Sequence, residues 1–146
     1  MLASWVLLYL GANPMWKGRA INEYKALVEK HTDTLSTEAL YKRLAAVPLS
    51  AWENELPSLD LIIRESVRMT APAAALRRNL VKELKVDDVV IKPGDFLIYS
   101  TGDLHMDPNI YADPTKFDPE RYVGNRAEDR KEAFSFLGWG AGKFFL

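Results

Sequence analysis

Three Asp-Pro pairs constrain this chain most: Asp107-Pro108, Asp113-Pro114 and Asp118-Pro119 crowd into one short stretch. Proline lacks a backbone donor and fixes φ, and it steers the residue before it away from helix. No long helix and no interior strand can therefore cross 107–119. A coil of that length in a folded chain is either disordered or held by specific contacts. Tyr111, Phe117 and Tyr122 lie in or beside it, and aromatic side chains of that size predict that it is held.

Upstream, apolar residues recur at helical spacing. Residues 1–12 are almost wholly apolar. The run is shorter than the roughly 18 residues a membrane span needs, and it lacks the basic flank of a signal peptide. A buried helix is predicted, because a helix apolar all round expects cover. Asn13 before Pro14 predicts a second helix, a capping side chain followed by proline at the first helical position. Its apolar face carries Ala20, Ile21, Tyr24, Leu27 and Val28, as far as about His31. Ser36 or Thr37 can cap a short helix bearing Leu40, Leu44 and Val47, which Pro48 ends. A loop with Trp52 and Pro57 leads to another helix from Ser58. There Leu59, Ile62, Ile63 and Ser66 share a face, and Pro72 bounds it. Ala73–Leu80 and Leu84–Val86 suit short strands. Val89–Ile91 and Phe96–Tyr99 read as a hairpin around Lys92-Pro93-Gly94-Asp95, where Pro93-Gly94 fits the central pair of a type II turn. A short helix near Ala127–Ala133 completes the pattern. The fold class is mainly α with a small β-sheet (α+β), in a single domain over residues 1–146.

Composition narrows the chemistry. A length of 146 residues suffices for one core, and 48% apolar with 27% charged residues excludes a disordered chain. Nineteen basic residues against 20 acidic ones leave a net charge of −1, with no basic stripe to attract nucleic acid. Cysteine is absent, which excludes disulfides, thiolate metal sites and cysteine nucleophiles. His31 and His105 are isolated, with no second ligand at metal-binding spacing, and no Ser/His/Asp arrangement stands out.

The remaining candidates are arginines, a carboxylate and glycines. Glu65 and Arg68 sit at i, i+3 on one helix, so their side chains share a face. At a surface such a pair contributes at most about 1 kcal/mol; near a packed surface it needs a further partner. Arg121, in Pro119-Glu120-Arg121-Tyr122, is a candidate for that partner. Arg77 and Arg78 are neighbours on a strand and face opposite sides, so one can meet solvent and the other an interior anion. Asp87-Asp88 reads as a solvated turn. The Gly138, Gly140, Gly142 alternation is no phosphate cradle, since the phosphate motifs need a helix directly afterwards. It reads instead as a loop kept free of side chains so that something flat can lie against it.

Taken together, these segments resemble the cytochrome P450 family. Glu65-Ser66-Val67-Arg68 is similar to its E-x-x-R helix. Phe117-Asp118-Pro119-Glu120-Arg121-Tyr122 is similar to its meander motif. Phe136-Leu137-Gly138-Trp139-Gly140-Ala141-Gly142 is similar to the start of its heme-binding loop, with Trp139 in the place of a phenylalanine. The resemblance runs from Met1 to Lys143, from late in the central I helix to just before the heme ligand. It implies a partial P450 fold and heme as cofactor. It implies a structural triad of Glu65, Arg68 and Arg121, and an Arg78 that contacts a heme propionate. Trp139, Gly140 and Gly142 would lie against the heme, and residues 72–78 would border the substrate pocket. It also implies an apolar small-molecule substrate, an electron-donating reductase and, for a eukaryotic full-length protein, the endoplasmic reticulum membrane. The run Pro72 to Arg78 is similar in style to fungal P450s of the class that includes sterol 14-demethylases.

The chain also departs from the pattern. Phe144 falls where the family has a propionate-binding arginine or histidine, and Leu146 falls where the iron-ligating cysteine belongs. The oxygen-handling part of the I helix, the membrane anchor and most substrate-recognition helices are not within this chain. The expectation is a piece of a heme-thiolate monooxygenase that is inactive alone, with no residue assigned as catalytic or as a metal ligand. The competing readings are a non-catalytic binding module and a truncated gene product.

Overall fold

In the computed structural model of the chain, residues 2–32, 39–70 and 74–140 are described. Pro72, Ala73, the capping candidates Ser36 and Thr37, Gly142 and the aligned positions Phe144 and Leu146 lie outside them. The chain divides into two compact units, Met1–Val67 with Phe117–Glu120, and Arg68–Lys116 with Arg121–Leu146.

The first unit is helical. Helices α1 (Leu2–Ala12), α2 (Pro14–His31), α3 (Leu40–Ala46) and α4 (Leu49–Asn54) lead into α5 (Pro57–Thr70), whose last three residues belong to the second unit. Leu27, Val47, Ala51 and Leu56 form its core, with Trp52 and Leu59 packed against it. Tyr24 stacks on Trp52 with ring centres 6.4 Å apart. Burying an aliphatic side chain of this kind contributes about 1.5–3 kcal/mol.

Two helix ends differ from the sequence expectation. Pro14 opens α2 as predicted, but the Asn13 side chain caps nothing in it. Its amide donates instead to the Tyr9 carbonyl at 2.8 Å, closing the end of α1. The first turn of α5 is capped from another helix: Glu23 of α2 accepts the N–H groups of Ser58 at 2.9 Å and Leu59 at 3.0 Å. Helix α4 replaces the predicted loop around Trp52, because Pro48 ends α3 and also immediately precedes α4. Helix α1 forms where predicted, yet none of its residues is buried. With no charged residue in its sequence, it has no polar face to turn outward. No helix among the described residues is long and apolar enough to cross a membrane.

The second unit holds two small antiparallel sheets. Strand β1 (Ala74–Arg78) pairs with β4 (Phe96–Ser100), and β2 (Leu84–Val86) pairs with β3 (Val89–Ile91). The predicted pairing of 89–91 with 96–99 does not occur. The turn between them does form, with Asp95 N–H bonded to Lys92 O at 3.1 Å and Gly94 at φ +97°. Asn79 explains the partner change. Its N–H donates to Asp95 O, its carbonyl accepts from Gly94, and its side-chain amide donates to Lys82 O and Ile91 O. It thus takes up backbone groups on both arms of the turn, at Ile91 and at Asp95. The hairpin is β2–β3, turning at Asp87-Asp88 with Asp87 at φ +51°.

A single helical turn, α6 (Thr101–His105), follows β4 and is capped by the Ser100 hydroxyl, which accepts the Asp103 N–H. The meander is ordered by its own aspartates. Asp107 accepts the N–H of Asn109 through its side chain and that of Tyr111 through its carbonyl. Asp113 O accepts from Lys116, and the Asp118 side chain accepts from Glu120. Each Asp-Pro pair thus starts a turn. Pro119–Tyr122 and Glu128–Arg130 are short 3-10 turns, the latter where a longer helix is predicted.

Candidate functional site

Tyr111 is fully buried, and two arginines lie over its ring: the Arg68 guanidinium 5.1 Å and the Arg121 guanidinium 5.8 Å from its centre. Both arginines are themselves buried and brace coil carbonyls. Arg68 donates to His105 O at 2.6 Å and Lys116 O at 3.5 Å. Arg121 donates to Lys116 O at 3.1 Å and Ala112 O at 3.0 Å. It also pairs with buried Glu128, which receives Arg126 on its other oxygen at 3.0 Å. Buried guanidinia are tolerated only when charge and donors are met in this way. Burial pushes the Glu128 carboxyl up, but hydrogen bonds from Arg126 and Arg121, aided by their charges, outweigh it and leave it below the ordinary value.

Glu65 is equally buried and accepts the Asp118 N–H at 3.0 Å. Of the residues grouped from sequence, the structure brings Arg68 and Arg121 onto one carbonyl and one ring. It fixes Glu65 to the meander two residues further on.

The glycine turn grows from a tightly held stem. The Tyr111 hydroxyl donates to Ser135 O at 2.7 Å, and Leu137 N–H donates to His105 Nε2 at 3.0 Å. The Phe136 ring lies between His105, stacked at 5.3 Å, and the edge of Tyr122 at 6.1 Å. Beyond the stem, Gly140 N–H bonds to Leu137 O and Gly140 takes φ +91°, a conformation that excludes ordinary side chains. A side chain at 140 would meet nothing within 4 Å among the described residues, and Trp139 is 63% exposed.

Arg77 and Arg78 are both exposed, and among the described residues neither forms an ion pair. The register places Arg78 opposite Phe96 and Leu76 opposite Ile98 on one face, with Arg77 on the other. The Arg78 Nε donates to Gly94 O at 3.3 Å, and its guanidinium lies 5.4 Å from the Phe96 ring centre.

The described donor set offers no ligand suited to a heme iron. No thiol exists in the sequence. His105 Nε2 is committed to Leu137, and His31 Nε2 lies against both oxygens of Glu55. Among the described residues no group of histidines and carboxylates could hold a metal ion. Sequence reasoning missed His105 and Glu128 as parts of this site; the only signal was the crowding of polar residues around the meander.

Comparison with known proteins points to one family throughout. The Cytochrome P450 family model matches residues 2–143. Cytochrome P450 monooxygenase AacuE of Aspergillus aculeatus is 33% identical, over 97% of this chain and 29% of its own length. Cytochrome P450 monooxygenase dmxR5 of Cryptosporiopsis sp. is 36% identical, over 98% of this chain and 27% of its own. The solved structure of retinoic acid bound cyanobacterial CYP120A1 superposes with a TM-score of 0.71 at 25% identity, over 97% of this chain and 29% of that one. The chain thus spans less than a third of each of these relatives.

Proposed function

The chain belongs to the cytochrome P450 family, and from that premise we propose that it carries the scaffold and one heme-facing wall of a monooxygenase that inserts an oxygen atom from O2 into an apolar substrate. A heme, when bound to the complete enzyme, supplies oxygen activation. These residues supply its surroundings. Arg78 is the propionate-binding residue: Gly94 O and Phe96 hold its guanidinium on the strand surface, and among the described residues no group is bonded to its terminal nitrogens. Trp139, Gly140 and Gly142 bound the porphyrin face. Glu65, Arg68 and Arg121 serve as the structural triad, supported by the burial of all three and by their anchorage on neighbouring residues of the meander, Asp118 and Lys116.

The observation that carries this reading is the turn at 135–140, whose stem is held by Tyr111, His105 and Tyr122 and whose Gly140 has no described neighbour within 4 Å of a side-chain position. Electrons would come from a reductase. The retinoic acid carried by the cyanobacterial relative supports an apolar substrate. The organisms of these two relatives support a fungal-type monooxygenase.

Alone, the chain has no thiolate to give the iron, so it neither binds heme in the P450 manner nor oxidises substrate. Hemin added to the purified chain should give no reduced carbon monoxide band at the thiolate position. A chimera carrying residues 2–143 inside the Aspergillus aculeatus enzyme should give one, and Arg78→Ala in that chimera should lower its heme content several-fold. A thiolate-type band from the chain alone, or a folded chimera without one, overturns the proposal.

A further inference from the structure

We propose that His105 is a positioning residue for the glycine turn, held as the neutral Nδ1–H tautomer so that Nε2 can accept the Leu137 N–H. A backbone N–H can only donate, so the nitrogen 3.0 Å from it must carry a lone pair. In a neutral imidazole the proton then sits on the other nitrogen. A protonated ring has no acceptor and would release Leu137.

The ring is placed for this task from several sides. His105 is wholly buried, and Arg68 grips its carbonyl at 2.6 Å. Phe136 stacks on the ring at 24°, and Tyr111 meets it edge-on at 83°. Tyr111 adds a second tie through Ser135 O. The buried arginine cluster is thereby linked to the stem, residue 135 by a hydroxyl and residue 137 by an imidazole. The turn from 138 to 140 projects from two fixed points. Its bearing on a cofactor rests on the heme-wall reading above; the hydrogen bond and the tautomer do not.

Nitrogen-15 NMR of the histidine side chains in the heme-free chain reads the tautomer directly, in the unaltered protein. Amide hydrogen exchange then reads the bond. His105→Phe keeps a flat ring against Phe136 and removes the acceptor, while His105→Gln returns an acceptor near the Nε2 position. Leu137 should exchange roughly tenfold faster in His105→Phe, with α5 amides unchanged, and recover protection in His105→Gln. An Nε2–H tautomer, or equal Leu137 exchange in the wild type and His105→Phe, overturns the proposal. Neither readout needs heme, so a failed carbon monoxide experiment and a failed positioning role are separable.

Discussion

Arg121 sets the scale of what one side chain does in this chain. Removing one partner of a buried ion pair leaves the other charged and unsolvated, at a cost of about 3–5 kcal/mol. Arg121→Ala should lose that much, because Glu128 keeps only Arg126, whose side chain is 41% exposed, and the Ala112 carbonyl loses its donor. Urea denaturation measures it, and a loss under about 1 kcal/mol would class the pair with surface salt bridges. The depressed carboxyl adds a pH dependence. Glu128 loses its proton more readily folded than unfolded, so its stabilisation is full above the ordinary carboxyl value of 4.5 and disappears as pH falls through the lower folded value. The stability gap between wild type and Glu128→Gln should therefore shrink between pH 7 and pH 3. A gap constant with pH would refute the assignment. Arg68 and Arg121 were legible from sequence through their motifs. Glu128 was not, because Arg126-Ala127-Glu128 reads as surface charge. Its burial follows chain reversals through Gly124 at φ +59° and Ala127 at φ +29°, which no hydrophobic pattern displays.

Elements were legible wherever the signal was local. Helices α2 and α5 and strand β2 stand at their predicted places, since periodicity and proline fix them without reference to distant partners. The failures concern partners. The Lys92–Asp95 turn was read correctly, but a turn does not say which strand its arms will pair with; Asn79 decides that from outside the apparent hairpin. Helix α6 was missed although Ser100 with Asp103 has the spacing of a capping box. The cap of α5 was not legible because it comes from Glu23 on another helix. That arrangement predicts a long-range helix-capping effect. Glu23→Ala should cost about 1–2 kcal/mol, as the loss of a strong N-cap does, and Glu23→Gln less, since its amide oxygen still accepts. Urea melts of the three proteins decide this. Equal stability of Glu23→Ala and wild type would mean that water caps α5 equally well.

At the scale of the whole molecule, the expectation that failed is burial of the first helix. Its sequence allows no solvent-facing side, yet Leu7 is 69% and Leu8 61% exposed. The helix also lines two apolar grooves, of about 420 and 340 Å³, with Leu59 of α5 in the wall of both. The helix itself was read correctly, because the run is too short for a membrane span and lacks the basic flank of a signal peptide. Burial was inferred from composition, and composition does not say which helix the rest of the chain will cover. A contiguous apolar surface in water promotes association, so the isolated chain should bind a hydrophobic dye and scatter light increasingly with concentration. Leu7→Lys with Leu8→Lys should reduce both, while changing stability by no more than about 0.5 kcal/mol per site, as for other exposed positions. Dye binding that survives the double substitution would move the adhesive surface from α1 to the exposed strand face of Leu76, Phe96 and Ile98. Leu76→Lys with Ile98→Lys, at facing positions of that strand pair, should then be the substitutions that lower dye binding and light scattering.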